Sequence, residues 1–246
     1  MEITREIAAK VVEVVDAGLV NGVGLPIPGR MCVEAAVCFA LGLPHGDDPK
    51  CVSPSLRRLK IRLNDASWSS NQARAKGLRR LAVAQLGSVG VLDEREFVRR
   101  VVAMTIRKAV PIALRAAAKR NPKFAVQLEA CAVRCEVEGT RDACKEGERV
   151  ARAAADADAD ADAADAAAAY AAADAAAYAA AYADGDGGGG GSYAYAYAAY
   201  AADAAAYDAR TRDRVLAEYA EHVVQILVDM GAPGVQWLDL TPKEAA

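Results

Sequence analysis

The sequence predicts an all-α protein, with a compact multi-helix head followed by a long alanine-rich antiparallel helical hairpin. Three observations carry this. Ile7, Val11, Val14, Val15 and Gly18 fall close to one stripe of a helix while Arg5, Glu6, Lys10 and Glu13 fall largely off it. Helix stop and start residues then recur at short intervals through the first 150 residues. Finally, the segment from Ala151 to Asp184 is almost all alanine, interrupted chiefly by Asp and Tyr, the strongest helix statement that propensity can make.

Taken in order, a first helix is expected from Ile3 to Leu19, stopped by Asn21-Gly22 and Gly24. Pro26, Pro28 and Gly29 form a rigid approach to a second, from near Met31 to Leu41, which places Cys32 in a first turn where free N–H groups can lower a thiol's pKa. His45-Gly46-Asp47-Asp48-Pro49 reads as a turn. Ser53 caps a helix that opens on Pro54 and runs to about Leu63, and Ser69 or Ser70 caps the next, broken by Gly87 and Gly90. Asp93 with Glu96 is a capping-box pattern for a helix to about Ala109. Pro111 marks a kink or restart, Pro122 a first helical position, and Thr140 a cap.

The alanine segment would form a rod about 50 Å long. Gly185 and the Gly187–Gly191 run end it, and Ser192 restarts a helix to about Met230, stopped by Gly231 and Pro233. Tyr193, Tyr197, Tyr200 and Tyr207 repeat at spacings of four, three and seven, the pattern of a helix–helix seam. The division expected is residues 1–125 as the head and 126–246 as the hairpin, interrupted by a Gly loop at 185–191. Trp237 is expected to dock on the body.

Apolar residues make up 54% of the 246, enough for a core, but aromatics are only 6%, so packing must come from close helix contacts. The first residues show neither a basic n-region nor an apolar h-region, and no long uncharged apolar run follows, which predicts a cytoplasmic protein outside the membrane. Its six cysteines, Cys32, Cys38, Cys51, Cys131, Cys135 and Cys144, are then expected as thiols. Cys131 and Cys135 have helical ligand spacing but only Cys144 nearby and no His. Residues 1–150 carry about +8 and residues 151–246 about −11, so the halves can attract one another or face different partners.

The chemically versatile side chains gather between Pro28 and Asp65. Cys32, His45, Asp47 and Cys51 offer a zinc-like donor set, and Cys32 with His45 a thiol nucleophile and its base; both schemes require His45 to fold back onto the second helix. Against them, the cysteines can pack in the core while Asp47 and Asp48 orient a loop. Asn64-Asp65 reads as a helix-end turn that could hold the His45–Cys51 loop. The run from Arg57 to Arg80 is the electrostatic footprint of phosphate binding, but the chain is acidic overall and no aromatics interleave there, which disfavours nucleic acid.

At Met31-Cys32-x-Glu34-Ala35, Gly42-x-x-His45-x-Asp47-x-Pro49-x-Cys51-Val52-x-Pro54 and Leu63-Asn64-Asp65, the chain resembles an uncharacterised bacterial family with this head and an alanine-rich helical tail. The resemblance covers about the first 120 residues and implies a shared head-and-tail plan with no assigned activity. The tail also resembles, by composition, that of immunity proteins. The resulting expectation is a non-enzymatic protein-binding protein without cofactor. Its contact surface would be the basic faces at Arg57, Arg58, Arg79 and Arg80 or the rod at Tyr193, Tyr197, Tyr200 and Tyr207, and a homodimer could form through the tail hairpins. The alternative is a metal-binding or thiol-dependent enzyme centred on Cys32, His45, Asp47 and Cys51.

Overall fold

The computed structural model describes residues 2–158 and 209–243. These are all-α: nine α-helices, one π-helical turn, one 3-10 helix and, among the described residues, no strand beyond an isolated Gly24–Met31 bridge. Most of the expected alanine hairpin, with Tyr193, Tyr197, Tyr200, Tyr207 and the Gly loop, lies outside the described residues. The chain divides into two compact units, Met1–Phe97 with Leu216–Ala246, and Val98–Val215.

In the first unit, α1 (Arg5–Asp16) is shorter than the expected Ile3–Leu19 helix at both ends, and the Thr4 hydroxyl caps its start by accepting from the Ile7 N–H at 3.3 Å. It buries Ala8, Val11, Val12, Val14 and Val15. α2 (Val33–Ala40) is almost wholly buried. α3 (Pro54–Asp65) has Ser53 as N-cap and Pro54 in its first turn. Ser70 caps α4 (Asn71–Ala84), which packs against α1 and against the 3-10 helix Pro233–Leu240. That 3-10 helix follows α9 (Ala209–Asp229) after the Gly231 stop and leaves Trp237 half-buried.

Several ions tie this unit together. Arg79 grips Asp16 through two bonds at 2.6 and 2.9 Å, Arg80 pairs with Glu221 at 2.9 Å, and Arg5 reaches Asp239. The Arg79 and Arg80 pairs are part-exposed, so each is worth about 1 kcal/mol or less, and the Arg5–Asp239 pair is open to solvent.

Asp93 accepts from the Glu96 N–H at 3.0 Å and so opens α5 (Glu94–Met104), as the capping pattern predicts. In the second unit the expected interruption at Pro111 takes the form of a π-helical turn, Thr105–Ala109, leading into α6 (Val110–Arg120). Proline has no N–H and its ring crowds the carbonyl four residues earlier, so one wide turn accommodates it without ending the helix. Pro122 lies in a turn and not in a helix; α7 (Ala125–Glu138) starts three residues later.

The C-terminus of α7 is capped from outside. The Arg107 guanidinium donates to the carbonyls of Glu136, Val137 and Glu138 at 2.7, 2.6 and 2.8 Å, satisfying acceptors that the helix leaves free. Gly139 follows at φ 63°, and a Cβ there would lie 2.5 Å from Arg107 Nε, so both backbone conformation and space call for glycine. The Thr140 hydroxyl then accepts from Ala143 N–H at 3.3 Å and starts α8 (Arg141–Asp158).

Candidate functional site

The site is built where α2 and α3 start and end. Val20 to Cys32 forms a tight hairpin: Val20 N–H donates to the Met31 carbonyl (3.1 Å), Leu25 to Arg30 (2.6 Å), Cys32 to Val23 (3.2 Å) and Arg30 to Ile27 (2.9 Å). Gly24 sits at φ 72° with the Arg30 carbonyl oxygen 2.2 Å from where a Cβ would be, so only glycine permits the approach. The result is a stiff loop with an apolar tip, on which Val23, Leu25 and Ile27 remain 37, 51 and 50% exposed beside the exposed Pro26 and Pro28.

His45 steadies this loop. Its Nε2–H donates to the Gly24 carbonyl at 3.0 Å, since a carbonyl oxygen only accepts. Asn64 does the same from the other side: its Oδ1 accepts from Val33 N–H at 3.1 Å, and its Nδ2 donates to the Val20 carbonyl at 2.9 Å. Asp65 Oδ1 accepts from Gly22 N–H at 2.9 Å. The polar pair at the end of α3 therefore clasps the hairpin and the start of α2, and not the His45–Cys51 loop. The buried Arg74 completes the clasp by donating to the Asn64 and Leu19 carbonyls at 2.7 and 3.0 Å.

The His45–Cys51 turn is held instead by Arg57, which donates to the Asp47 carbonyl (2.6 Å) and carboxylate (3.1 Å) and lies 3.1 Å from Asp48. Lys50 also binds Asp48 and holds its carboxyl below the usual range. Three of the four arginines expected as a contact surface, Arg57, Arg79 and Arg80, thus serve internal clasps. Arg58 is exposed on α3.

Cys32 is the N-cap of α2 and not a first-turn residue: its Sγ accepts from Ala35 N–H at 3.3 Å. Burial pushes its thiol up, outweighing the helix-start hydrogen bonds that lower it. The same desolvation raises Cys51, and raises Cys38 to about 11. These thiols act as small core side chains. Among the described residues no three His, Cys, Asp or Glu side chains converge as a metal set. Cys135, in the second unit, meets Cys144 through a thiol hydrogen bond that lowers Cys135 and raises Cys144.

Behind the clasp lies a feature that motif spacing missed. Glu34 and Lys60 are both fully buried, with Lys60 Nζ 3.5 Å from Glu34 Oε1. Gln85 Nε2 donates to Glu34 Oε2 at 3.2 Å, while Glu34 Oε1, Lys60 Nζ and Gln85 Oε1 make no hydrogen bond. Burial raises the Glu34 carboxyl to about 7, partly opposed by Lys60, and lowers the Lys60 ammonium. A signal existed for Lys60: it lies four residues after Leu56 on the apolar stripe of α3, with Leu59 and Leu63 also buried.

A cleft of about 70 Å³ reaches Glu34, lined also by Val23, Cys32, Asp47, Asn64 and Asp65 among others. This is well below the roughly 300 Å³ or more of ordinary ligand pockets. In the second unit a wider groove of about 290 Å³ runs between α7 and α8, lined by Phe124, Cys131, Arg134, Glu146, Arg149 and Val150 among others. No family profile, curated protein or solved structure matches this chain.

Proposed function

We propose that this chain is a non-enzymatic protein-binding protein, immunity-like in that binding is its activity, and that its contact surface includes the hairpin from Val20 to Cys32. One observation carries the reading: Leu25 and Ile27 stay half exposed on a loop whose backbone is pinned from three sides. Exposed apolar side chains on mobile loops are common, but here the loop is held rigid while its apolar tip is left in water. A preorganised apolar tip loses little entropy on docking, so Leu25 and Ile27 are placed to act as apolar anchors in a partner's pocket.

The alternative, a thiol or metal enzyme at Cys32, His45, Asp47 and Cys51, draws less support. Each of Cys32, His45 and Asp47 already has a structural hydrogen-bond partner, and the adjoining cleft is too small for most substrates.

The test uses the full chain as bait in host cytosol, followed by titration of any purified partner against wild type and a Leu25→Ser/Ile27→Ser variant. Affinity should fall at least about tenfold in the variant with unchanged helicity. A partner that binds both equally, or none at all, overturns the reading of the hairpin.

A further inference from the structure

Among the described residues, the second unit carries an apolar face with no helix packed on it. On α7, Leu128, Cys131, Ala132 and Cys135 face the core. The opposite side presents Val126, Ala130, Val133 and Val137, with the valines 83, 45 and 71% exposed in that order. Their spacing of four, three and four is that of successive d, a, d and a positions of a heptad, a two-stranded seam with nothing packed on it among the described residues. On this register Gln127 and Arg134 are e positions and Glu129 and Glu136 are g positions, all exposed.

Those flanking charges choose an occupant. In a parallel pair of identical helices a g residue meets the e residue five positions on in the other helix, so Glu129 meets Arg134 of the second copy twice by symmetry. In an antiparallel pair g meets g, which sets glutamates against glutamates. The present partners of these two residues, Arg115 for Glu129 and Glu138 for Arg134, form exposed pairs that exchange at little cost.

We propose that α7 is a homodimer interface, in which the Val126–Val137 faces of two copies pack in parallel about a two-fold axis. The inference goes beyond the hairpin reading and rests on different residues. Two heptads are short for a free coiled coil, but α7 is already folded by its own unit, so the helix-ordering cost does not recur. The small area limits the affinity to a Kd on the order of 10⁻⁵ M.

Sedimentation of the full chain from about 1 to about 500 µM provides the test. Wild type should show a reversible monomer–dimer equilibrium. Val133→Glu should weaken it more than about tenfold with unchanged circular dichroism. Glu129→Arg and Arg134→Glu should each be monomeric alone, because each sets like charges opposite one another, and the two mixed should recover a heterodimer of wild-type affinity. A wild type that stays monomeric, a dimer indifferent to Val133→Glu, or a mixture that fails to associate each overturns the proposal.

Discussion

Replacing the buried pair, Lys60→Met alone and then with Glu34→Gln, gives the sharpest test of the physics of the first unit. A carboxyl raised from 4.5 to about 7 binds its proton more tightly in the folded state, so the folded chain holds extra protons between those values. Stability from Glu34 is therefore fully present below about pH 4.5 and is lost as pH rises through about 7. A shift of this size is worth at most about 3 kcal/mol. Lys60 works the other way, since its lowered pKa makes stability rise with pH toward its ordinary 10.5, so the wild-type slope is the difference between the two effects.

Three chains separate the contributions. Wild type should lose stability from about pH 5 to pH 8. Lys60→Met removes both the opposing ammonium and the charge that helps ionise Glu34, so its slope should be steeper, with a cost of about 3 to 5 kcal/mol at pH 8 that shrinks at pH 5. The double variant should be flat across this range and as stable as wild type at pH 8 or up to about 4 kcal/mol more. Urea unfolding followed by tryptophan fluorescence suits the experiment, because both tryptophans, Trp68 and Trp237, lie in the first unit. A double variant that keeps the wild-type pH slope would refute the assignment of that slope to the pair.

Further outcomes follow from the same geometry. Cys32→Ser should leave stability within about 1 kcal/mol, since a serine oxygen caps α2 as well as the thiol does, and binding of a partner should not change. In the native chain at neutral pH, Cys32, Cys38 and Cys51 should alkylate far more slowly than after unfolding in urea, counted by mass spectrometry; fast labelling of Cys32 would revive the nucleophile reading. Asn64→Ala should cost about 2 to 3 kcal/mol by stranding the Val33 N–H and Val20 carbonyl, read by the same fluorescence melt. Arg107→Ala should cost about 1 to 2 kcal/mol by uncapping α7, seen as a lower thermal midpoint by circular dichroism.

The all-α class and most helix starts were legible in the sequence because they depend on local chemistry. Thr140, Ser53, Ser70 and Asp93 cap the helices they precede, and each hydrogen bond spans three residues. α2 starts at Val33, two residues after the Met31 expected, and that changes the chemistry of Cys32: an N-cap side chain accepts a helix N–H, while burial, which spacing does not encode, raises the thiol. Pro122 was misread because a proline suits a turn as well as a first helical position.

The site was less legible because its contacts are long in sequence. Asn64 reaches Val20 across 44 residues and Gln85 reaches Glu34 across 51, and no local pattern carries such pairings. The signature residues between Cys32 and Asp65 have the composition of an active site because both tasks need the same side chains. A catalytic centre needs donors and acceptors held in a dry place; so does a buried Glu–Lys pair beneath a hairpin whose backbone has left regular structure. What separates the two is whether polar atoms point at one another or at a space large enough for a substrate. Here His45, Asn64, Asp65 and Arg57 all bind the chain itself, and the cleft beside them is about 70 Å³. Of these, His45, Asn64 and Asp65 hold the hairpin whose apolar tip stays in solvent, while Arg57 holds the turn beside it.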